Sequence, residues 1–202
     1  MSIDAIDFYF DFASPYAYLA SVRVDALSDR VGRPVRWRPI LLGAVFKISG
    51  GQPNLNKPLQ GDYLRHDVPR CARLWDIPLH QPLPSPFPSL AASRAFYWLD
   101  QVGGEHSPAA LARAVFQAHW AEGRDMALPE NVLDVAASLG LDRDAVEAGI
   151  ALPEVKERLR AETEAAIARG VFGAPFFFLG DEPFWGADRM DQMEDWLRRG
   201  GW

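Results

Sequence analysis

FDFASPYAYL, residues 10–19, closes an apolar run and opens a helix. Upstream, IDFYFDF (6–12) is rich in aromatics and bounded by a turn signal, which predicts a buried strand. Downstream, Ser14 is a good N-cap and Pro15 suits the first helical position. Leu19, Val22, Ala26 and Leu27 are expected to form the helix's apolar face, and Gly32 is its stop. PVRWRPI (34–40) then reads as a second strand. Strand, helix, strand is a βαβ unit, with its strands parallel and its crossover right-handed.

Working outward, the chain changes character twice. GGQPNLNKPLQGD (50–62) reads as a loop, and PLPSPFPS (82–89) is too proline-rich for a helix. Helical stretches follow. One starts at Ser89, a second is capped by Ser107 with Pro108 at its first position, and others end on Gly140 and Gly170. A short one, DRDAVEAGI, lies between the last two. Near the end the pattern returns to strand. APFFFLG begins at Pro175, GDE turns the chain, and PFWG is the partner strand of a hairpin. Asp188 is expected to cap a closing helix, RMDQMEDWLRR, with Asp191 in its first turn favouring the dipole. The order is βαβ, a helical block, then ββα. Residues 1–42 and 170–202 are expected to build one sheet, with 43–169 inserted as a loop and helical domain. No repeat period is present.

Composition narrows the function. The 202 residues are 49% hydrophobic, enough for a real core, and carry a net charge of -6. No basic stripe marks a nucleic-acid binder. RLRAETEAAIAR (158–169) alternates charge as a solvated helix face does. No apolar run reaches the roughly 18–20 residues that span a membrane. The N-terminus lacks a basic n-region and a cleavage site, so the expected compartment is the cytoplasm. Cys71 is the single cysteine, so neither an internal disulfide nor a CxxC pair exists, and it reads as a small buried hydrophobe. The four histidines (66, 80, 106 and 119) show no ligand spacing, and no metal is expected. HExxH, GxSxG, Walker A and GxGxxG motifs are all lacking.

That order, with a proline at the start of the third strand, resembles the α/β thioredoxin-like fold carrying a large all-helical insertion, as in DsbA-like proteins. Three stretches narrow the resemblance: FYFDFASPYAYLA (8–20), KISGGQPN…DYLRHD (47–67) and GVFGAPFFFLGDEPFWGADRMD (170–191). They resemble the 2-hydroxychromene-2-carboxylate isomerases and the kappa-class glutathione transferases. The resemblance implies glutathione as cofactor, a small-molecule substrate and a homodimer.

Dithiol members of this fold open the first helix with a cysteine pair. Here FASPYAY offers only hydroxyls, so the thiol must come from outside. By resemblance Ser14 hydrogen-bonds the glutathione sulfur, with Pro15 and Tyr16 beside it. A helix N-terminus lowers a thiol's pKa, and a hydroxyl adds a donor. With no histidine nearby, Ser14 itself is a poor nucleophile. The resemblance also makes Pro175 a cis proline that leaves the Ala174 backbone free to pair with an extended peptide. Asp188 and the Ala187 N–H, after Trp185 and Gly186, would hold the γ-glutamyl end. Relatives often carry serine or asparagine at the place of Ala187. Trp185 packs either on the ligand or in the core. Lys47 and Asn54 would reach the glycyl carboxylate and a backbone amide; Gly51 falls where some kappa-class relatives place that asparagine. Pro88 stands where relatives carry asparagine. Three functions fit: a glutathione-dependent isomerase of an aromatic or unsaturated hydroxy or oxo acid, a kappa-type transferase or peroxidase, and a non-catalytic peptide-binding module.

Overall fold

The computed structural model describes residues 5–202, so the first four residues of the segment 1–42 lie outside the described ones. Strand β1 (Ile6–Phe10) is buried along its whole length. Helix α1 (Pro15–Val31) follows, then β2 (Val35–Pro39). Strands β3 (Phe176–Leu179) and β4 (Glu182–Trp185) complete a four-stranded sheet of order β2-β1-β3-β4. β1 and β2 are parallel, as the βαβ reading requires; β3 runs antiparallel to both β1 and β4. β1 ends at Phe10 rather than residue 12, because Asp11 turns the chain.

Pairing register sorts the side chains into two faces. Phe8 lies opposite Phe177, and their rings stack at 5.0 Å. With Phe10 and Leu179 they join the main core, which also takes in Leu19, Val24 and Leu27 of α1. On the other face Tyr9, Phe176 and Phe178 meet Ile40, Val171 and Ala166. Asp7 is the buried exception in β1, held by Arg38 at 3.1 Å and Arg169 at 2.7 Å.

Helix α1 begins and ends where its sequence says. Ser14 has extended backbone and its Oγ accepts the Ala17 N–H at 3.2 Å; Gly32 closes the helix in the left-handed region. Its buried face is different from the expected one. Val22 and Ala26 point to solvent, and Ala17, Tyr18, Ala20, Ser21 and Val24 are buried with Leu19 and Leu27. The helix is covered on a wider arc than a surface helix, since α3, α5 and the closing helix all pack on it.

Between β2 and β3 the helices are α2 (Leu42–Ser49), α3 (Gln60–Leu74), α4 (Leu90–Val102), α5 (Pro108–Phe116), α6 (Pro129–Ser138), α7 (Arg143–Ala151) and α8 (Pro153–Ala168). The loop expected over 50–62 contains a short 3-10 turn, Asn54–Asn56, and gives way to α3 at Gln60. α5 runs on into a π-turn, Gln117–Ala121, which buries both His119 and Trp120. The block shares its core with the sheet: Phe96 and Phe116 lie 6.1 and 5.4 Å from the Phe10 ring.

The closing helix α9 (Met190–Arg199) has Asp191 in its first turn and Arg198 and Arg199 in its last, matching the helix dipole. Asp188 does not cap it. A 3-10 turn, Ala187–Arg189, intervenes, Arg189 occupies the N-cap position, and no side chain caps the helix. Among the described residues no helix is long and apolar enough to cross a membrane.

Candidate active site

The β1–α1 turn meets the start of β3 at the end of the sheet. Ser14 is only 7% exposed. Its hydroxyl donates to the Ala174 carbonyl at 3.0 Å while accepting from Ala17. The Ala174–Pro175 peptide is cis. The Ala174 carbonyl faces Ser14, as expected, yet it is engaged by that hydroxyl rather than free. The Pro175 carbonyl accepts the Gly186 N–H at 3.1 Å. Arg23 of α1 donates to the Ala187 carbonyl at 3.0 Å and reaches Asp191 at 3.2 Å. Ser14, Ala174, Pro175, Gly186 and Ala187 are thus tied into one continuous patch.

The first turn of α1 has one amide to spare. Pro15 has no N–H, and Ala17 is served by Ser14. Tyr16, at the second helical position, has no intrahelical acceptor for its N–H. That N–H and the Ser14 hydroxyl are the donors an incoming anion would meet.

The Tyr16 phenol turns the other way, to α3, and donates to Asp67. Tyr63, Arg70 and the Cys71 thiol also approach that carboxylate, Tyr63 at 3.2 Å and Cys71 at 3.7 Å. Burial pushes Asp67 upward, but hydrogen bonds from Tyr16, Arg70 and Tyr63 outweigh it and hold the carboxyl below its usual value. The same contact, after burial, raises Tyr16, so it stays a neutral phenol. Burial and then Asp67 raise the Cys71 thiol, which suits an inert cysteine.

The remaining expected residues sit apart. Trp185 ends β4 and is half-exposed; its ring lies 4.8 Å from that of Phe172 and it belongs to neither core cluster. Gly186 takes a φ of 113°, which favours glycine. Asp188 points outward, with Arg189 at 3.8 Å. Lys47 lies in the last turn of α2, and Asn54 opens the 3-10 turn. Both are exposed, and among the described residues neither side chain forms a hydrogen bond or ion pair. Pro88 is exposed, and the buried ring of its segment is Phe87, 4.2 Å from His119. Among the described residues no three His, Cys, Asp or Glu side chains converge as a metal site would.

Gly61 fixes the loop that carries Asn54. A Cβ there would lie 2.5 Å from the Leu55 carbonyl oxygen, which is backbone and cannot rotate away. Gly61→Ala is expected to destabilise the protein by about 1–3 kcal/mol. Chemical denaturation checks this; an unchanged midpoint would show that the loop yields.

Sequence reasoning missed Asp11, Arg23, Asp67 and Ser89. Asp11 had a signal: an acidic residue directly after a buried strand is a turn former. Arg23 and Asp67 had none, since only the packing of α1 against α3 and the 187–189 turn gives them partners.

The family model of a DSBA-like thioredoxin domain matches residues 5–198. The chain belongs to the DsbA-like thioredoxin family, in the group that holds the 2-hydroxychromene-2-carboxylate isomerases and kappa-class glutathione transferases. It is 38% identical to 2-hydroxychromene-2-carboxylate isomerase of Pseudomonas putida, over 96% of this chain and 94% of that protein. A solved structure of a 2-hydroxychromene-2-carboxylate isomerase superposes with a TM-score of 0.86 at 38% identity, covering 96% of this chain and 95% of that one. Human glutathione S-transferase kappa 1 is 26% identical over 95% of this chain and 92% of its own length. These relatives place the chain among enzymes.

Proposed function

We propose that this chain is a glutathione-dependent isomerase of an aromatic or unsaturated hydroxy or oxo acid, like 2-hydroxychromene-2-carboxylate. The observation that carries the reading is the Ser14 hydroxyl at the N-terminus of α1, 3.0 Å from the Ala174 carbonyl, in a fold that elsewhere keeps a cysteine pair there. The identity to 2-hydroxychromene-2-carboxylate isomerases over nearly the whole chain supports the substrate class.

The residues present fit glutathione. The Ala174 backbone, just ahead of β3 and facing Ser14, offers hydrogen-bonding groups to its cysteinyl unit. Asp188 offers an exposed carboxylate to its γ-glutamyl ammonium, and Lys47 and Asn54 are unpaired among the described residues. Glutathione held there would supply a nucleophilic sulfur, whose reversible addition to a conjugated carbon of the substrate allows bond rotation. Ser14 would turn its hydroxyl from Ala174 to that sulfur and favour its thiolate form, helped by the Tyr16 N–H and the helix dipole. The released Ala174 carbonyl accepts an N–H of the cysteinyl unit in exchange. Ser14 thus gives up one acceptor and takes another, so the site recognises a thiol on a peptide better than a bare thiol. The helical block 43–169 is read as the insertion that closes the substrate pocket, and the assembly as a homodimer on the same resemblance.

The kappa-class relatives favour a second reading, a transferase or peroxidase on the same thiolate. Incubation with 2-hydroxychromene-2-carboxylate separates the two. The isomerase reading expects turnover only with glutathione present and glutathione recovered unchanged. A stable conjugate points to the transferase. Turnover without glutathione, or none with any such acid, overturns the proposal, and the second outcome leaves the peptide-binding module.

A further inference from the structure

Asp11 gathers three donors from three elements on one buried carboxylate. Oδ1 accepts the Ala13 N–H at 3.0 Å and the Ser89 hydroxyl at 2.7 Å; Oδ2 accepts the Leu42 N–H at 2.8 Å. Its backbone carbonyl accepts the Ser14 N–H at 2.9 Å. Two of these partners forgo their usual arrangement. Ser89 is the N-cap residue of α4 but makes no cap bond to its own helix. The N-cap of α2 is Leu41, which cannot cap, so Asp11 serves Leu42 at the first position of α2 from outside.

We propose that Asp11 is a positioning residue of this site, locking the turn that carries Ser14 to the start of α2 and to Ser89. The inference rests on the glutathione reading above. The carboxylate takes the Ala13 N–H and the Asp11 backbone carbonyl takes that of Ser14, and the turn so folded directs the Ser14 hydroxyl at Ala174. By taking Leu42 it sets α2, which carries Lys47, relative to the same turn. One carboxylate thereby fixes both the thiol end and the glycyl end of the proposed ligand.

The energetics argue against a role in stability alone. Asp11 is 4% exposed, and among the described residues no cation pairs with it. Burial raises its carboxyl above the ordinary value, against the lowering effect of Ala13, Ser89 and Leu42. A carboxyl raised in the folded state binds more protons there than in the unfolded chain. Its contribution to stability is therefore full below the unfolded value of 3.8 and is lost as pH rises through the folded value. The ionised group weakens the fold at neutral pH, and such groups collect at functional sites. No titratable or charged side chain of β1, α1, α2 or α4 hydrogen-bonds or ion-pairs with it among the described residues.

The test compares wild type, Asp11→Asn and Ser89→Ala by thermal midpoint and by calorimetric glutathione affinity, between about pH 4.5 and 8. Asp11→Asn is expected to gain in midpoint on wild type as pH rises, yet to bind glutathione about 10-fold more weakly at neutral pH. Ser89→Ala removes a bond that favours the charged carboxylate. It should move the acid limb of glutathione affinity upward by about one pH unit. This variant carries the test if Asp11→Asn does not fold. Affinities within about twofold of wild type and a superimposable pH profile would overturn the proposal. Wild type that binds no glutathione would overturn the reading of the site, and this inference with it; glutathione binding that ignores both substitutions would overturn this inference alone.

Discussion

Ser14→Ala is expected to lower kcat/KM for isomerisation about 100-fold, the effect of removing one aligned donor from a developing or held anion. Two bonds are lost together. The sulfur loses its hydroxyl donor, and the Ala17 N–H loses its cap acceptor at 3.2 Å. Loss of the cap alone costs about 1 kcal/mol of stability, too little to unfold the protein. Ser14→Asp separates the two roles. Aspartate caps a helix as well as serine does, but at this buried position it cannot donate to the Ala174 carbonyl, so the thermal midpoint is expected to fall even though the Ala17 cap is kept. Its carboxylate brings a negative charge to the place of the thiolate, so activity should fall at least as far as in Ser14→Ala. Steady-state kinetics with glutathione varied at saturating substrate decides the matter. Ser14→Asp that keeps wild-type activity would reduce Ser14 to a cap.

Trp120→Ala should have the largest effect on stability, about 3–5 kcal/mol. The indole is wholly buried, and its N–H donates to the Phe12 carbonyl at 2.9 Å. That bond spans from the π-turn after α5 to the residue two before Ser14. The substitution therefore opens a cavity in the helical block and strips a buried carbonyl in the site turn. Trp120→Phe isolates the second effect: most of the packing survives and the carbonyl is left unpaired, for a loss of about 1–3 kcal/mol. Urea denaturation of the three proteins measures both. Equal midpoints for Trp120→Phe and wild type would show that the bond contributes nothing.

Much of this architecture is legible in the residues. The β1–α1 junction follows from Ser14 and Pro15, and the hairpin from the aromatic runs on either side of Gly180 and Asp181. Helix ends at Gly32 and Gly170 follow from glycine's access to positive φ. What was misread has one physical cause. Local pattern assumes a single buried face and nearby partners, whereas α1 is covered on several sides and so buries Ala17, Ala20 and Ser21 in place of Val22 and Ala26. Asp188 looked like a cap because local rules place one there, but the 3-10 turn displaces the helix start by one residue. The site divides in the same way. Ser14 and Ala174 were visible as motifs, while Asp11, with partners 31 and 78 residues away, became visible only in the folded chain.

Ionisation of the glutathione thiol on the wild-type protein shows directly whether Ser14 and the start of α1 hold it as thiolate. The thiolate absorbs in the ultraviolet near 240 nm, so a pH titration of the complex reads its midpoint. The expected midpoint lies at least about one pH unit below that of free glutathione and rises back toward it in Ser14→Ala. A midpoint equal to that of free glutathione, in wild type as in the variant, would contradict it.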